Sequence, residues 1–431
     1  MAAKTDVVIV DGVRTPFAKA GTDLREVSAQ ELGRHALREL LERTHLDPET
    51  VDDVFVGNIA GPSDAANVAR VIALRAGIPE RVPALTVNRN CASSLESLAQ
   101  GAMRIRAGEA SVVVAGGTES MSQIPLLFGR GFTRMFEKLA RARSLGARLA
   151  ALASFRPGFL KPRVALLEGL TDPVSGLNMG QTAELLAREF RIPREEQDAF
   201  ALESHRRAVD ATREGRLAGE IAPIPVPPRF DRILDTDVGP RPQQTLEALA
   251  KLRPVFDRRN GTVTAGNSSM ITDGAVMLLL MSAERAQELG HEPLGRVRSW
   301  AFAGLDPARM GLGPVHATPP ALKKARVAWK DIELVELNEA FAAQALACRA
   351  AFASSAYAKE KLGLARAVGE LDPERLNVNG GAIALGHPVG SSGGRIVLTL
   401  LREMKRREAT LGLATLCVGG GQGGAFVLER S

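Results

Sequence analysis

The chain is poor in cysteine and poorer still in aromatics, and each shortage excludes something. Three cysteines, Cys91, Cys348 and Cys417, stand far apart in 431 residues and never in a CxxC pair. That spacing excludes a disulfide scaffold and a thiolate zinc site, so no metal is expected, and it points to a reducing, cytoplasmic setting. Aromatics make up 4% of the residues, with Trp300, Trp329 and Tyr357 the only Trp and Tyr. That is too few for the stacking platforms of a nucleic-acid binder. No apolar run reaches membrane-spanning length, and Met1–Thr5 has neither the charged region nor the apolar stretch of a secretory leader. The charge is nearly balanced, 55 Lys and Arg against 49 Asp and Glu. Much of the excess sits in 129–163, where Arg130, Arg134, Lys138, Arg141, Arg143, Arg148, Arg156, Lys161 and Arg163 face only Glu137. Such local charge suits a docking surface or an anionic ligand rather than nucleic acid.

Strand-like and helix-like stretches alternate along the first third. Asp6–Val10 reads as a strand. Ser28-Ala29-Gln30-Glu31 is a capping box that opens an amphipathic helix over Ala29–Arg43. Val54–Val56 is a strand, Asn67–Gly77 a helix, Ala84–Val87 a strand, and a further helix is expected from about Ser94 to Ala107. Val112–Ala115 is a strand bounded by Gly116-Gly117. This alternation predicts an α/β fold with a mostly parallel sheet. The character changes from about 123 to 258. Phe132, Met135, Phe136 and Leu139, then Leu145, Leu149 and Leu152, recur at helical spacing among basic residues. They form a helical hairpin whose apolar face either packs on its own domain or meets a partner protein or a membrane surface. Asn178–Glu184 opens another helix, and 222–228 is a Pro-rich extended stretch. The layered pattern resumes at 261–269, with a strand over Val276–Met281 and a second unit from about Leu294.

The second unit echoes the first. Leu85–Asn88, a turn with Ser93-Ser94, a helix and the strand Val112–Ala115 match Leu376–Asn379, a turn with Ser391-Ser392, a helix over Arg395–Arg406 and the strand Leu413–Leu416. Val54–Asn58 likewise matches Leu334–Asn338. Two such units side by side would bring Cys91, Asn338, His387 and Cys417 to one face.

Cys91 lies between a strand and a helix. There the helix N-terminus is expected to lower a thiol's pKa and favour the nucleophilic thiolate, although a cysteine can also simply fill core. His387, between Gly386 and Pro388, is the one histidine of six held in a rigid turn beside a Gly-rich run, and it is suited to accept a thiol proton. Cys417 ends a strand ahead of Gly419-Gly420-Gly421, whose N–H groups can serve an oxyanion. Asn338 either caps the following helix or holds a water or carbonyl oxygen.

Taken together, Val13-Arg14-Thr15-Pro16, Asn90-Cys91-Ala92-Ser93-Ser94, Gly116–Met121, Thr264–Ser269, Asn338-Glu339-Ala340-Phe341, Gly386-His387-Pro388 and Cys417–Gly421 resemble the thiolase family, in order and over the whole chain. The resemblance implies a layered α/β/α/β/α core of two duplicated βαβαβαββ halves. The first half would comprise 1–122 and 259–292, interrupted by a loop domain at 123–258, and the second 293–431. It also implies roles. Cys91 takes the acyl group from a 3-oxoacyl-CoA, His387 accepts its proton, and Cys417 is the acid/base for acetyl-CoA and CoA. Asn338 with His387 forms one oxyanion hole, and the N–H groups of Cys91 and Gly419 form the other. Coenzyme A, a co-substrate rather than a bound cofactor, would lie near Met179, Ala265, Ser269, Ala340 and Phe341. The implied partners are acyl-CoA and CoA, a second copy in a homodimer or dimer of dimers, and a hydratase/dehydrogenase subunit. The long Arg/Leu-rich insert looks most like the β subunits of fatty-acid β-oxidation complexes, many of which carry His where this chain has Asn338. Three rival expectations stand: a biosynthetic acetoacetyl-CoA thiolase, a β-ketoacyl synthase-like enzyme, and a non-catalytic acyl-CoA-binding subunit.

Overall fold

The computed structural model describes residues 5–431. The opening segment behind the leader argument lies largely outside them. Nine strands build the main sheet: β1 (Val7–Arg14), β2 (Asp53–Gly57), β3 (Ala84–Val87), β4 (Val112–Glu119), β5 (Thr272–Ser282), β6 (Gly295–Gly304), β7 (Leu334–Leu337), β8 (Leu411–Val418) and β9 (Gln422–Arg430). Their order is β7-β8-β9-β6-β1-β5-β4-β2-β3, and the short Ala18–Lys19 pairs with the start of β5. The first five strands and the last four form two half-sheets. β1 and β6 join them through only two residue pairs, Val8 with Arg296 and Ile9 with Gly295.

Helices α1 (Ala29–Thr44) and α2 (Val68–Ala76) cover the outer face of the first half-sheet. α3 (Ser93–Arg106) and a helix over Ser392–Arg407 lie between the half-sheets, where Leu95, Leu98, Ile396 and Leu400 share one core with residues of both. Helices over Gly313–Ala325 and Ala342–Ala353 cover the far face. The result is five layers, α/β/α/β/α. No strand between Glu119 and Thr272 joins the main sheet among the described residues. The intervening chain forms helices and two small two-stranded ladders.

Local sequence accounts for most boundaries. Ser28 caps α1 by accepting the Glu31 N–H at 3.3 Å, but the Glu31 carboxylate turns to Arg34 and Arg75 and does not close the box. Asn67 caps α2, and Gly77 ends it in the left-handed conformation. Three expectations need correcting. The sheet is not mostly parallel: β2 with β3, β2 with β4 and β7 with β8 run parallel, and the other five neighbouring pairs are antiparallel. Gly116-Gly117 does not end β4, which runs on to Glu119. A Cβ on Gly117 would stand 2.1 Å from the Gly390 carbonyl oxygen, so this glycine permits close packing inside the strand rather than a turn. The counterpart of β3 in the second half is also not a strand. It is a single bridge between Val335 and Leu376. Asn377 adopts φ +45° there, and its side chain exchanges both hydrogen bonds with the Leu337 backbone at 2.8 Å, so an amide takes the place of the ladder.

The hairpin helices Arg130–Arg141 and Leu145–Ala153 form as expected, but their apolar face is not covered. Only Met135 and Ala151 are buried on them, while Phe136, Leu145, Leu149 and Leu152 are half or more exposed.

Candidate active site

The site forms where the C-terminal ends of β7 and β8 meet the N-terminal ends of the two central helices. Cys91 sits two residues ahead of α3, half-buried and free. Asn90, in the left-handed region at φ +45°, donates its side-chain N–H to the Gly419 carbonyl at 2.7 Å and clamps the two loops together. The backbone N–H groups of Gly419 and of Cys91 itself act on the Cys91 sulfur. They do not lower its pKa overall: burial dominates and pushes the thiol above its usual range. The expectation of a helix-activated thiolate is therefore corrected, because desolvation of the charge outweighs the N–H groups.

Cys417, buried at the end of β8, is close enough that charge on Cys91 acts on it, and burial holds it protonated well above the ordinary thiol range. Asn338 follows β7, which runs parallel to β8 with Leu337 opposite Thr415. It is no helix cap, since the next helix begins after Phe341 without a side-chain cap. Instead its Oδ1 and Nδ2 are buried without a protein partner, the arrangement of a residue that binds something other than its own chain.

His387 is fixed from both sides. Its backbone bridges Ile271, and its N–H reaches Met270 O and Thr272 Oγ1, each at 3.2 Å. Its Nδ1 lies 2.6 Å from Ser392 Oγ, which has an acceptor for its own proton in the Pro388 carbonyl at 3.0 Å. With Ser392 donating to Pro388, Nδ1 carries the hydrogen and Nε2 keeps its lone pair. Nε2 is buried and has no protein partner. Burial, aided by the charge of Arg395, lowers the His387 pKa to about 4, so the ring is neutral at physiological pH. Arg395 is itself buried and paired to Glu336 at 2.7 Å. A neutral imidazole with a free lone pair can accept a thiol proton, and unpartnered amide and ring atoms can hold a carbonyl oxygen.

Of the residues expected to meet CoA, four surround this corner. Met179 Sδ would be 3.3 Å from a Cβ on Gly419, and Met179 packs with Ala340, Phe341 and Cys417 in one apolar cluster. Ser269 donates its N–H to Ala340 O at 3.0 Å. Ala265 is exposed on the same loop. Sequence reasoning passed over Asn90, Ser392, Arg395 and Glu119. Asn90 and Glu119 lay inside motifs singled out for a neighbouring residue, and Ser392 and Arg395 only in the turn and helix of the internal repeat.

A duplicated five-layer α/β fold with a thiol, an imidazole and a second thiol at one corner defines a class of acyl-transfer enzymes. The chain matches the family descriptions "Thiolase, N-terminal domain" over residues 7–284 and "Thiolase, C-terminal domain" over 291–430. It is 42% identical over 424 residues to a 3-ketoacyl-CoA thiolase of Colwellia psychrerythraea, covering 98% of this chain and 97% of that one. It is 46% identical over 428 residues to an acetyl-CoA acetyltransferase of Pseudomonas aeruginosa, covering 99% of each. The crystal structure of human mitochondrial 3-ketoacyl-CoA thiolase in complex with CoA superposes with a TM-score of 0.85 at 39% identity, covering 100% of this chain and 99% of that one. The chain belongs to the thiolase family and is an acyltransferase.

Proposed function

We propose that the protein is a 3-ketoacyl-CoA thiolase that cleaves 3-oxoacyl-CoA with CoA in fatty-acid β-oxidation. His387 Nε2 takes the Cys91 proton as the sulfur attacks the C3 carbonyl. The resulting oxyanion lies against His387 and a group held by Asn338. The C2–C3 bond breaks, leaving the acyl group on Cys91, and Cys417 protonates the departing acetyl-CoA carbanion. The Cys417 thiolate then deprotonates CoA, whose sulfur attacks the Cys91 thioester against the N–H groups of Cys91 and Gly419. Collapse expels the Cys91 sulfur, which recovers its proton from His387. Because Cys91 and His387 both favour their neutral forms, proton transfer accompanies attack and no resting ion pair is required. The observation that carries this reading is the convergence of the Cys91 and Gly419 N–H groups on the Cys91 sulfur with Cys417 within electrostatic reach. CoA would lie against Met179, Ser269, Ala340 and Phe341, with Ala265 at the rim.

The degradative direction is supported by relatives named 3-ketoacyl-CoA thiolase. A biosynthetic acetoacetyl-CoA role is the second reading, favoured by the Pseudomonas aeruginosa relative. Thiolysis rate against acyl chain length decides between them: preference for long 3-oxoacyl chains supports the first, activity confined to acetoacetyl-CoA the second. Two free thiols in the chemistry suit a reducing compartment, the cytoplasm. The open edge at β3, where Leu85 is half-exposed, suits pairing with a second copy. We further propose that 129–163 docks a hydratase/dehydrogenase subunit or an anionic membrane surface. Its exposed leucines interleaved with basic residues support this, and none of the described helices is long and apolar enough to cross a membrane.

A further inference from the structure

The duplication produces the catalytic corner twice. In β7 and β8, Leu337 stands opposite Thr415; one residue on is Asn338, and two residues on is Cys417. In β2 and β4, Gly57 stands opposite Gly117; one residue on is Asn58, and two residues on is Glu119. The helix facing the first corner carries Cys91 two residues before its start at Ser93, and the helix facing the second carries Gly390 two residues before its start at Ser392. Glu119 therefore occupies the place of Cys417, and Gly390 the place of Cys91.

The second corner is closed rather than open. The Glu119 carboxylate is fully buried and accepts four hydrogen bonds. Asn58 Nδ2 donates at 3.0 Å, the Ile59 N–H at 3.2 Å, the Ala60 N–H at 3.1 Å and the Gly390 N–H at 2.9 Å. A Cβ on Gly390 would stand 2.8 Å from Glu119 Oε2 and 2.8 Å from Thr118 O, so the counterpart of the nucleophile can carry no side chain. Burial raises the Glu119 pKa to about 7, and the backbone N–H donors oppose that rise. All four partners are donors, so the set is matched by the carboxylate, which has no hydrogen of its own to place among them. Gly390 ends the turn that begins at His387. Glu119 is thus a clasp from the first half onto the turn that presents the imidazole of the second.

We propose that Glu119 is a positioning residue for acyl transfer, holding the His387–Gly390 turn of the second half in register with Cys91 of the first. This rests on the roles assigned above to Cys91 and His387.

The test compares Glu119→Gln, Glu119→Asp, Asn58→Ala and His387→Ala in the full-length enzyme, measuring kcat, the KM for CoA and thermal melting. Glu119→Gln places an NH2 against N–H donors. Expected is a folded protein with kcat 10- to 100-fold lower and a KM for CoA within threefold, because the CoA contacts lie on other loops. Glu119→Asp, which keeps two acceptors, should recover at least fivefold over Glu119→Gln. A folded Glu119→Gln with wild-type kcat overturns the proposal, as does a rise in KM that accounts for the whole loss. If Glu119→Gln fails to fold, Asn58→Ala decides: at least a threefold fall in kcat at unchanged KM supports the clasp, and unchanged kcat overturns it. A fully active His387→Ala would instead overturn the underlying reading. A dead His387→Ala beside an unaffected Glu119→Gln removes the positioning role alone.

Discussion

Removing the Ser392 hydroxyl should slow acylation of Cys91 without disturbing CoA binding. Ser392 Oγ lies 2.6 Å from His387 Nδ1 and 3.0 Å from the Pro388 carbonyl, deep in the core. In Ser392→Ala the ring has two choices. It can keep Nδ1–H against an apolar wall, or shift the hydrogen to Nε2 and lose the lone pair that accepts the thiol proton. Either way, reaching the imidazolium requires a buried donor without an acceptor, which costs about 1–3 kcal/mol. At about 1.4 kcal/mol per factor of ten, the rate of acylation falls roughly 5- to 150-fold. The assay is rapid-quench release of acetyl-CoA per active site from a 3-oxoacyl-CoA before CoA is added, with melting followed alongside. A burst rate within twofold of wild type in a folded variant would refute the argument. So would nitrogen NMR of the wild-type ring showing the hydrogen on Nε2.

Other consequences can be checked separately. Cys91→Ser should give no acyl-enzyme mass shift on intact-protein mass spectrometry, and normal labelling would remove its role as acceptor. Cys417→Ala should still acylate yet turn over poorly, and unchanged steady-state thiolysis would exclude it as the acid/base. The His387 pKa, lowered to about 4, makes a signed prediction for stability. The unfolded chain binds that proton near the ordinary value of about 6.5, so the contribution is full above it and is lost as pH falls from about 6.5 to 4, roughly 3 kcal/mol in all. His387→Gln should therefore have a shallower melting-temperature slope in that window, and a slope matching wild type would count against a neutral buried ring. Replacing Leu145 and Leu149 by Asp should abolish co-sedimentation with anionic vesicles if the hairpin meets a membrane. Unchanged sedimentation of that variant, or none by wild type, would exclude this contact.

Much of the fold was legible because local signals and burial agreed. The bounds of β3 were read to the residue, and α2 within its own caps, since Asn67 and Gly77 mark its ends unambiguously. The misreadings have a common source in long-range contact. Gly117 looks like punctuation until Gly390, more than two hundred residues on, is placed against it. Leu376–Asn379 has the composition of a strand, but the Asn377 amide replaces the ladder. At the site, the residue types that carry chemistry were visible, and the groups that tune them were not. The Cys91 pKa depends on how much water the folded loops exclude, which no stretch of sequence displays. The orientation of His387 depends on Ser392, whose neighbour Ser391 is an identical candidate in sequence. Glu119 emerged only when strand register equated it with Cys417.

The insertion also sets a clock on synthesis. β1 finds its main partner in β5, where Val7 stands opposite Ser282 and Arg14 opposite Val276. At about 5–20 residues per second, a ribosome needs roughly 15 to 50 seconds to make the stretch between them. From the completion of β4 at Glu119, for roughly 8 to 30 seconds at that rate, the nascent chain carries β1 and β4 with a vacant place between them, and their apolar faces are open to unwanted association. A cell making this protein must shelter that gap, so chaperone engagement should peak before residue 282 has left the exit tunnel and decline once β5 has closed the first half-sheet.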